Sequence, residues 1–271
     1  FNGFMYNTIT TDSRMLANMI FSSAVVATLT TLLMGALTDK VGKRKLFIVG
    51  GYILWGISTL SFGFISVERI TALFPHLNAV VFAAILVIVM DCVMTFFGST
   101  ANDAAFNAWI NDITPKEQRG RVETILAVLP LVSMLIIFGG FDWLTQSGQW
   151  QLFFLIFGIL IIIGGIAGLF LIEEGQVPEQ EETAYFSNII YGFKLKVAKA
   201  NPILYGALFL LAILGVSTQI YMPFLIIYMQ EFLSLANYTI PLASILILSS
   251  VISVLSGKWI DKFVKIKMLT Y

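Results

Sequence analysis

The sequence predicts an all-α fold, a polytopic membrane helical bundle, and three observations carry that reading. Apolar residues make up 58% of the 271 and charged residues only 12%, about half the charged share of an ordinary soluble domain. Seven stretches are long and apolar enough to cross a hydrocarbon core of about 30 Å as helices. The basic residues gather in alternate connections between those stretches.

The stretches run near 18–37, 46–65, 80–111, 122–141, 151–172, 203–229 and 239–256. None alternates strictly between apolar and polar, as a membrane barrel strand would, so each is predicted helical. The run 80–111 would measure about 48 Å as one helix, more than a bilayer with its headgroups, so part of it must lie outside.

Of the 16 Lys and Arg residues, all but Arg14 and Arg69 fall in four clusters: Lys40, Lys43, Arg44 and Lys45; Lys116, Arg119 and Arg121; Lys194, Lys196 and Lys199; and Lys258, Lys262, Lys265 and Lys267. By the positive-inside rule these connections face the cytoplasm. The chain therefore reads as an integral, multi-pass protein of the plasma (cytoplasmic) membrane, with the lipid bilayer as its first partner.

Formal net charge is zero, so no global field draws nucleic acid. One cysteine, Cys92, and one histidine, His76, supply neither a disulfide framework nor a clustered metal site. No enzyme activity, cofactor or metal is expected. The chain opens on Phe1 without a signal peptide and reads as the interior of a longer polypeptide.

An internal repeat narrows the architecture. Residues 35–45, GALTDKVGKRK, and 257–267, GKWIDKFVKIK, share Gly35 with Gly257, Asp39 with Asp261, Lys40 with Lys262, Lys43 with Lys265, and Lys45 with Lys267 at identical offsets. Parallel repeats of this kind mark transporters built from two similar helical halves. The first copy resembles the cytoplasmic signature of the major facilitator superfamily, Gly-x-x-x-Asp-x-x-Gly-[Lys/Arg]-[Lys/Arg], through Gly35, Asp39, Gly42, Lys43, Arg44 and Lys45. The second copy has Val264 where the glycine would stand. NDITPKEQRGR, residues 111–121 with Asp112, Pro115 and Arg119, is similar to the family's loop between helices 4 and 5.

The resemblance implies two pseudo-symmetric halves, incomplete here. Residues 1–172 would form the first bundle (the end of helix 1 to helix 6), 173–202 a cytoplasmic linker, and 203–271 the start of the second bundle with helices 7 and 8. In the linker, Tyr185, Ile189, Phe193 and Val197 follow the spacing of a helix lying on the inner surface. Gly35 would let another helix approach closely. Asp39 would then accept hydrogen bonds from the N-terminus of a neighbouring helix and act as a latch between halves, with Asp261 its weaker counterpart; the alternative is a solvated charge beside the lysines.

Charges inside a span are functional suspects by default. Counting back from Asp112 at about 1.5 Å per residue puts Asp103 roughly 13 Å deep and Asp91 near the outer surface, an interfacial position. Ser99, Asp103, Asn107 and Asn111 recur every four residues, which lines them along one helix face. That stripe would face a wet cavity, with Asp103 taking a proton, a cation or a substrate hydroxyl, or a partner helix. On the sixth span Gln219 and Tyr221 precede Pro223, which should break the helix as transporter helices do near their sites.

NDAAFNAWINDITPKEQR also resembles the glycoside, pentoside and hexuronide cation symporter branch, the melibiose-carrier-like proteins. That resemblance implies a sugar-binding role for Asp103. Asn107 stands where the branch has an aromatic residue, and Ala27 and Thr31 where it has sodium-coupling carboxylates, so a proton is expected as coupling ion rather than sodium. The function expected is secondary active transport of a small polar organic solute, a sugar by preference, by a monomer working through alternating access. A drug or metabolite exporter of the same superfamily and a non-transporting scaffold or sensor are the alternatives.

Overall fold

The computed structural model describes residues 1–115, 118–174, 192, 194–235 and 238–260, with the backbone alone at 239 and 254–260. Its helices are α1 (Ser13–Val41), α2 (Arg44–Phe62), α3 (Val67–Leu73), α4 (Ala79–Ile113), α5 (Arg119–Gln146), α6 (Trp150–Leu171), α7 (Leu195–Ala200), α8 (Pro202–Phe232) and α9 (Thr239–Ile260). A short helical turn, Asn2–Phe4 and Met5–Ile9, precedes them. Among the described residues there is no strand, and α1, α2, α4, α5, α6 and α8 are long and apolar enough to cross a membrane. The predicted seventh span is helical too and runs on to Ile260.

Local chemistry sets the ends. The Asp12 carboxylate accepts from the Arg14 amide at 2.9 Å and opens α1. Gly42 closes it at φ +69°, its N–H donating to the Thr38 carbonyl at 3.0 Å; glycine takes this left-handed position without steric cost, which gives the second glycine of the signature a physical reason. Ser66 caps α3 and Asn78 caps α4. In α8 the proline does what its position predicts. Met222–Phe224 form a 3₁₀ turn, and the Pro223 carbonyl accepts from Asn2 Nδ2 at 3.1 Å.

Helix α4 departs from expectation. It is α-helical over Ala79–Gly98, widens to a π-helix over Ser99–Phe106, and returns to α over Asn107–Ile113. The π segment buries Ala101, Ala104 and Ala105 against its neighbours.

The chain forms two compact units, each drawing on both sides of the 173–202 segment: Phe1–Asp112 with Trp150–Tyr228, and Ile113–Gln149 with the described residues from Met229 on. The first is held by close helix contact. A Cβ on Gly56 of α2 would meet Ile162 Cγ1 at 2.5 Å and the Gly158 carbonyl of α6 at 2.7 Å, and one on Gly51 would meet Ala101 Cβ of the π segment at 2.7 Å. In lipid, apolar surface gives helices little reason to associate, and small residues let backbones touch instead. In the same unit Phe4 meets Phe62, Phe154 and Trp150 edge to face, and Phe62 lies tilted on Phe154, beside a buried cluster that includes Leu16, Met19, Val87 and Met94.

In the second unit α9 lies along α5. Asp142 is buried there and its carboxylate accepts from Tyr238 Oη at 2.7 Å, Thr145 Oγ1 at 2.9 Å and Gln146 Nε2 at 2.6 Å. Burial, and then this carboxylate, push the Tyr238 phenol up from its ordinary value, so it stays a proton donor.

Gly56→Ala should lower stability by about 1–3 kcal/mol, the usual cost of an overpacked contact. Gly50→Ala, where a Cβ would meet nothing within 4 Å, should leave it unchanged. Thermal unfolding of the two purified variants in detergent reads the difference.

Candidate functional site

The signature loop is built around Arg44, the first residue of α2. A cation at a helix N-terminus opposes the helix dipole, so its environment must supply negative charge. Arg44 is 5% exposed. It pairs with Asp39 through Nη1 at 2.5 Å and with Asp112, at the far end of α4, through Nε at 2.9 Å. Nη1 also donates to the Thr38 hydroxyl at 3.0 Å, and that hydroxyl donates in turn to the Gly35 carbonyl at 2.8 Å. One arginine thus ties the ends of α1, α2 and α4 together. Trp109 adds a second tie at this level, its indole N–H donating to the Glu173 carbonyl just beyond α6 at 2.8 Å.

Asp39 therefore has Arg44 of its own loop as partner among the described residues, not a neighbouring helix N-terminus. A Cβ on Gly35 would meet nothing within 4 Å, so the close approach expected there is not made by any described residue. Lys43 is exposed and Lys45 half-buried. Gly257 lies in α9; Asp261 and Lys262 lie outside the described residues.

The predicted stripe on α4 is split. Ser99 is buried, whereas Asp103, Asn107 and Asn111 are exposed. The wider π turn alters the angular step per residue, so positions four apart there no longer share a face. Asn107 and Asn111 spend amide protons on the carbonyls of Asp103 and Asn107, at 3.4 and 3.0 Å. Asp103 instead joins groups the spacing did not reveal. Its Oδ1 accepts from Asn102 Nδ2 at 3.0 Å, and Asn102 Oδ1 accepts from Tyr52 Oη of α2 at 3.2 Å. Tyr52 packs on Trp55, ring centroids 5.5 Å apart, and Trp55 fills the space left by Gly98. Carboxylate, amide, phenol and aromatic face lie together at the junction of α2 and α4.

Gln219 and Tyr221 stand exposed on α8 immediately before the Pro223 break. Pro115 and Arg119 are exposed beside and at the start of α5. Among the described residues no three His, Cys, Asp or Glu side chains group to hold a metal.

The structure adds a face to the level that depth counting gives Asp91. Counted from Asp112 it lies at an interfacial level, and the residue is 6% exposed, turned into the bundle. Counting residues fixes a level along an axis and says nothing of the face. The available signal was its spacing from Val87 and Met94, both buried on the same side.

Removing Arg44 should leave two carboxylates facing each other at a buried corner. Arg44→Ala should cost about 3 kcal/mol. Asp112→Ala should cost more than Asp39→Ala, because the Asp112 side chain is 19% exposed and that of Asp39 37%. Unfolding midpoints of the three variants in detergent should fall in the order Asp39→Ala, Asp112→Ala, Arg44→Ala.

Comparison with known families supplies the classification that the geometry leaves general. A family model described as Major Facilitator Superfamily matches residues 1–271, and the match does not single out the melibiose-carrier-like branch. Comparison with curated proteins and with solved structures gave no match. The chain, with its signature corner intact and its six membrane-length helices, belongs to the major facilitator superfamily, an integral multi-pass membrane protein of the secondary-transporter class.

Proposed function

We propose that the protein moves a small polar organic solute, most aptly a sugar, across the plasma membrane by alternating access, drawing on a proton gradient. The observation that carries the reading is the joined set Tyr52, Asn102 and Asp103 beside Trp55. A hydroxylated ring needs both carboxylate and amide partners for its O–H groups and an apolar face for its C–H surface, and this set offers all three. Asp103 is the anchor for a substrate hydroxyl, and Asn107 lies one turn further along. Gln219 and Tyr221 contribute from the second bundle near the broken helix.

In this reading 1–172 and 203–271 are the rocking halves, joined by 173–202, and the protein works as a monomer without a cofactor. Asp39, together with Arg44, is the inner latch; Asp261 and Lys262 are its counterparts in the second repeat. The absence of carboxylates at Ala27 and Thr31 favours a proton over sodium.

Reconstituted vesicles given an inside-alkaline pH gradient and a panel of labelled hexoses, pentoses and disaccharides test this. At least one sugar should accumulate, and collapse of the gradient should stop it. Asp103→Asn should cut the uptake about tenfold to a hundredfold, the loss of a charged hydrogen bond, and Tyr52→Phe about fivefold. Vesicles that hold their gradient yet accumulate no sugar would remove the sugar reading.

A further inference from the structure

Helix α3 and the turns on either side of it are apolar where they are most exposed. Ile70 is buried and Val67 packs against the same core cluster, which pins one side of α3 to the bundle. Away from that side Leu73 is 72% exposed, and Phe64, Phe74 and Leu77 are exposed with it. Large apolar side chains turned outward on a fixed element mark a surface that something apolar covers.

The level of α3 says what that is. Arg44 opens α2 in the charged corner it shares with Asp112, at the far end of α4. The 19 residues of α2 rise about 28 Å, close to the thickness of a hydrocarbon core. With the basic clusters on the inner side, α2 ends at the outer edge of that core, and α3 lies where acyl chains meet headgroups. The exposed surface is also continuous with a spanning helix. The Phe74 ring packs on Phe82 in the first turn of α4, centroids 5.7 Å apart, and Phe82 heads an exposed apolar face that runs on through Ile85 and Val89.

Arg69 is the polar complement. The Ser66 hydroxyl oxygen caps α3 by accepting from the Arg69 amide at 3.2 Å. The Arg69 side chain turns back to Phe64, where Nη1 donates to the carbonyl at 3.3 Å and the guanidinium carbon stands 5.9 Å from the ring centre. That spends one of five N–H groups. Arg69 is exposed, and among the described residues no carboxylate pairs with it; Glu68 and His76, the other ionisable groups of this segment, are exposed too. A guanidinium held at the interface with donors to spare is suited to a lipid phosphate, which can take two parallel N–H bonds from one arginine.

We propose that α3 is an interfacial anchor: Phe64, Leu73, Phe74 and Leu77 enter the acyl boundary of the outer leaflet, and Arg69 binds the phosphate of a phospholipid headgroup there. Being fixed to the bundle through Ile70 as well, the anchor sets the height at which α2 and α4 stand in the bilayer.

Purified protein in vesicles of phosphatidylethanolamine and phosphatidylglycerol, in phosphate-free buffer, tests both parts. With Cys92→Ala removing the one native thiol, a spin label on Leu73→Cys, or on Leu77→Cys, should collide with oxygen more than with a water-soluble nickel chelate. The oxygen-to-nickel ratio should be several-fold higher than for a label on Glu68→Cys, on another face of the same helix. Solid-state NMR of protein isotope-labelled at its arginine guanidinium carbons should show dephasing by lipid phosphorus, and Arg69→Gln should lose part of it. Nickel collisions dominating at both label sites would put the segment in water. A label shielded from both reagents would put a second copy or another protein over it. Dephasing unchanged in Arg69→Gln would leave the arginine without its phosphate. Any one of these three results overturns the proposal.

Discussion

The close approach permitted along α2 is the constraint on which the first unit depends. Apolar surface drives no association in lipid, so this helix meets its neighbours where side chains are missing: Gly56 against the Gly158 backbone of α6, Gly51 against Ala101 of α4. Two helices are thereby fixed against opposite faces of a third. The aromatic contacts of Phe4, Phe62, Phe154 and Trp150 lie in the same unit, and Arg44 draws the ends of α1, α2 and α4 into one charged corner.

Fixing α2 against α4 also decides the chemistry between them. Tyr52 reaches Asn102 because Gly51, its neighbour in sequence, lets the π segment come close. The π segment in turn separates Ser99 from Asp103, turning one inward and leaving the other exposed. A rare helical geometry persists only where the surroundings over-determine it. Here the small residues Ala101, Ala104 and Ala105, packed to near-complete burial, are those surroundings.

The signature loop shows how one short motif does several jobs. Gly42 takes the left-handed conformation that ends α1, which brings Arg44 around to face Asp39. Lys43 stays exposed and Lys45 half-buried on either side, while Arg44 is buried. Arginine suits that place because its planar fork serves two carboxylates and a hydroxyl at once, which a lysine ammonium could not do with the same geometry.

Much of this was legible in the residues alone. The membrane-length helices, read in the sequence as seven stretches, and the break at Pro223 follow from hydropathy and backbone stereochemistry, which act over a few residues and need no partner. The family signature was equally local. What the sequence could not decide was direction around a helix axis. Asp91 and Asp103 are both acids in one apolar run, and only the packing of α1 and α2 against α4 buries the first between Val87 and Met94 and leaves the second exposed beside Asn102. The pairing of Asp142 with Tyr238, 96 residues apart, was hidden for the same reason: hydrogen bonds between helices depend on which faces meet, and that is a property of the assembled bundle.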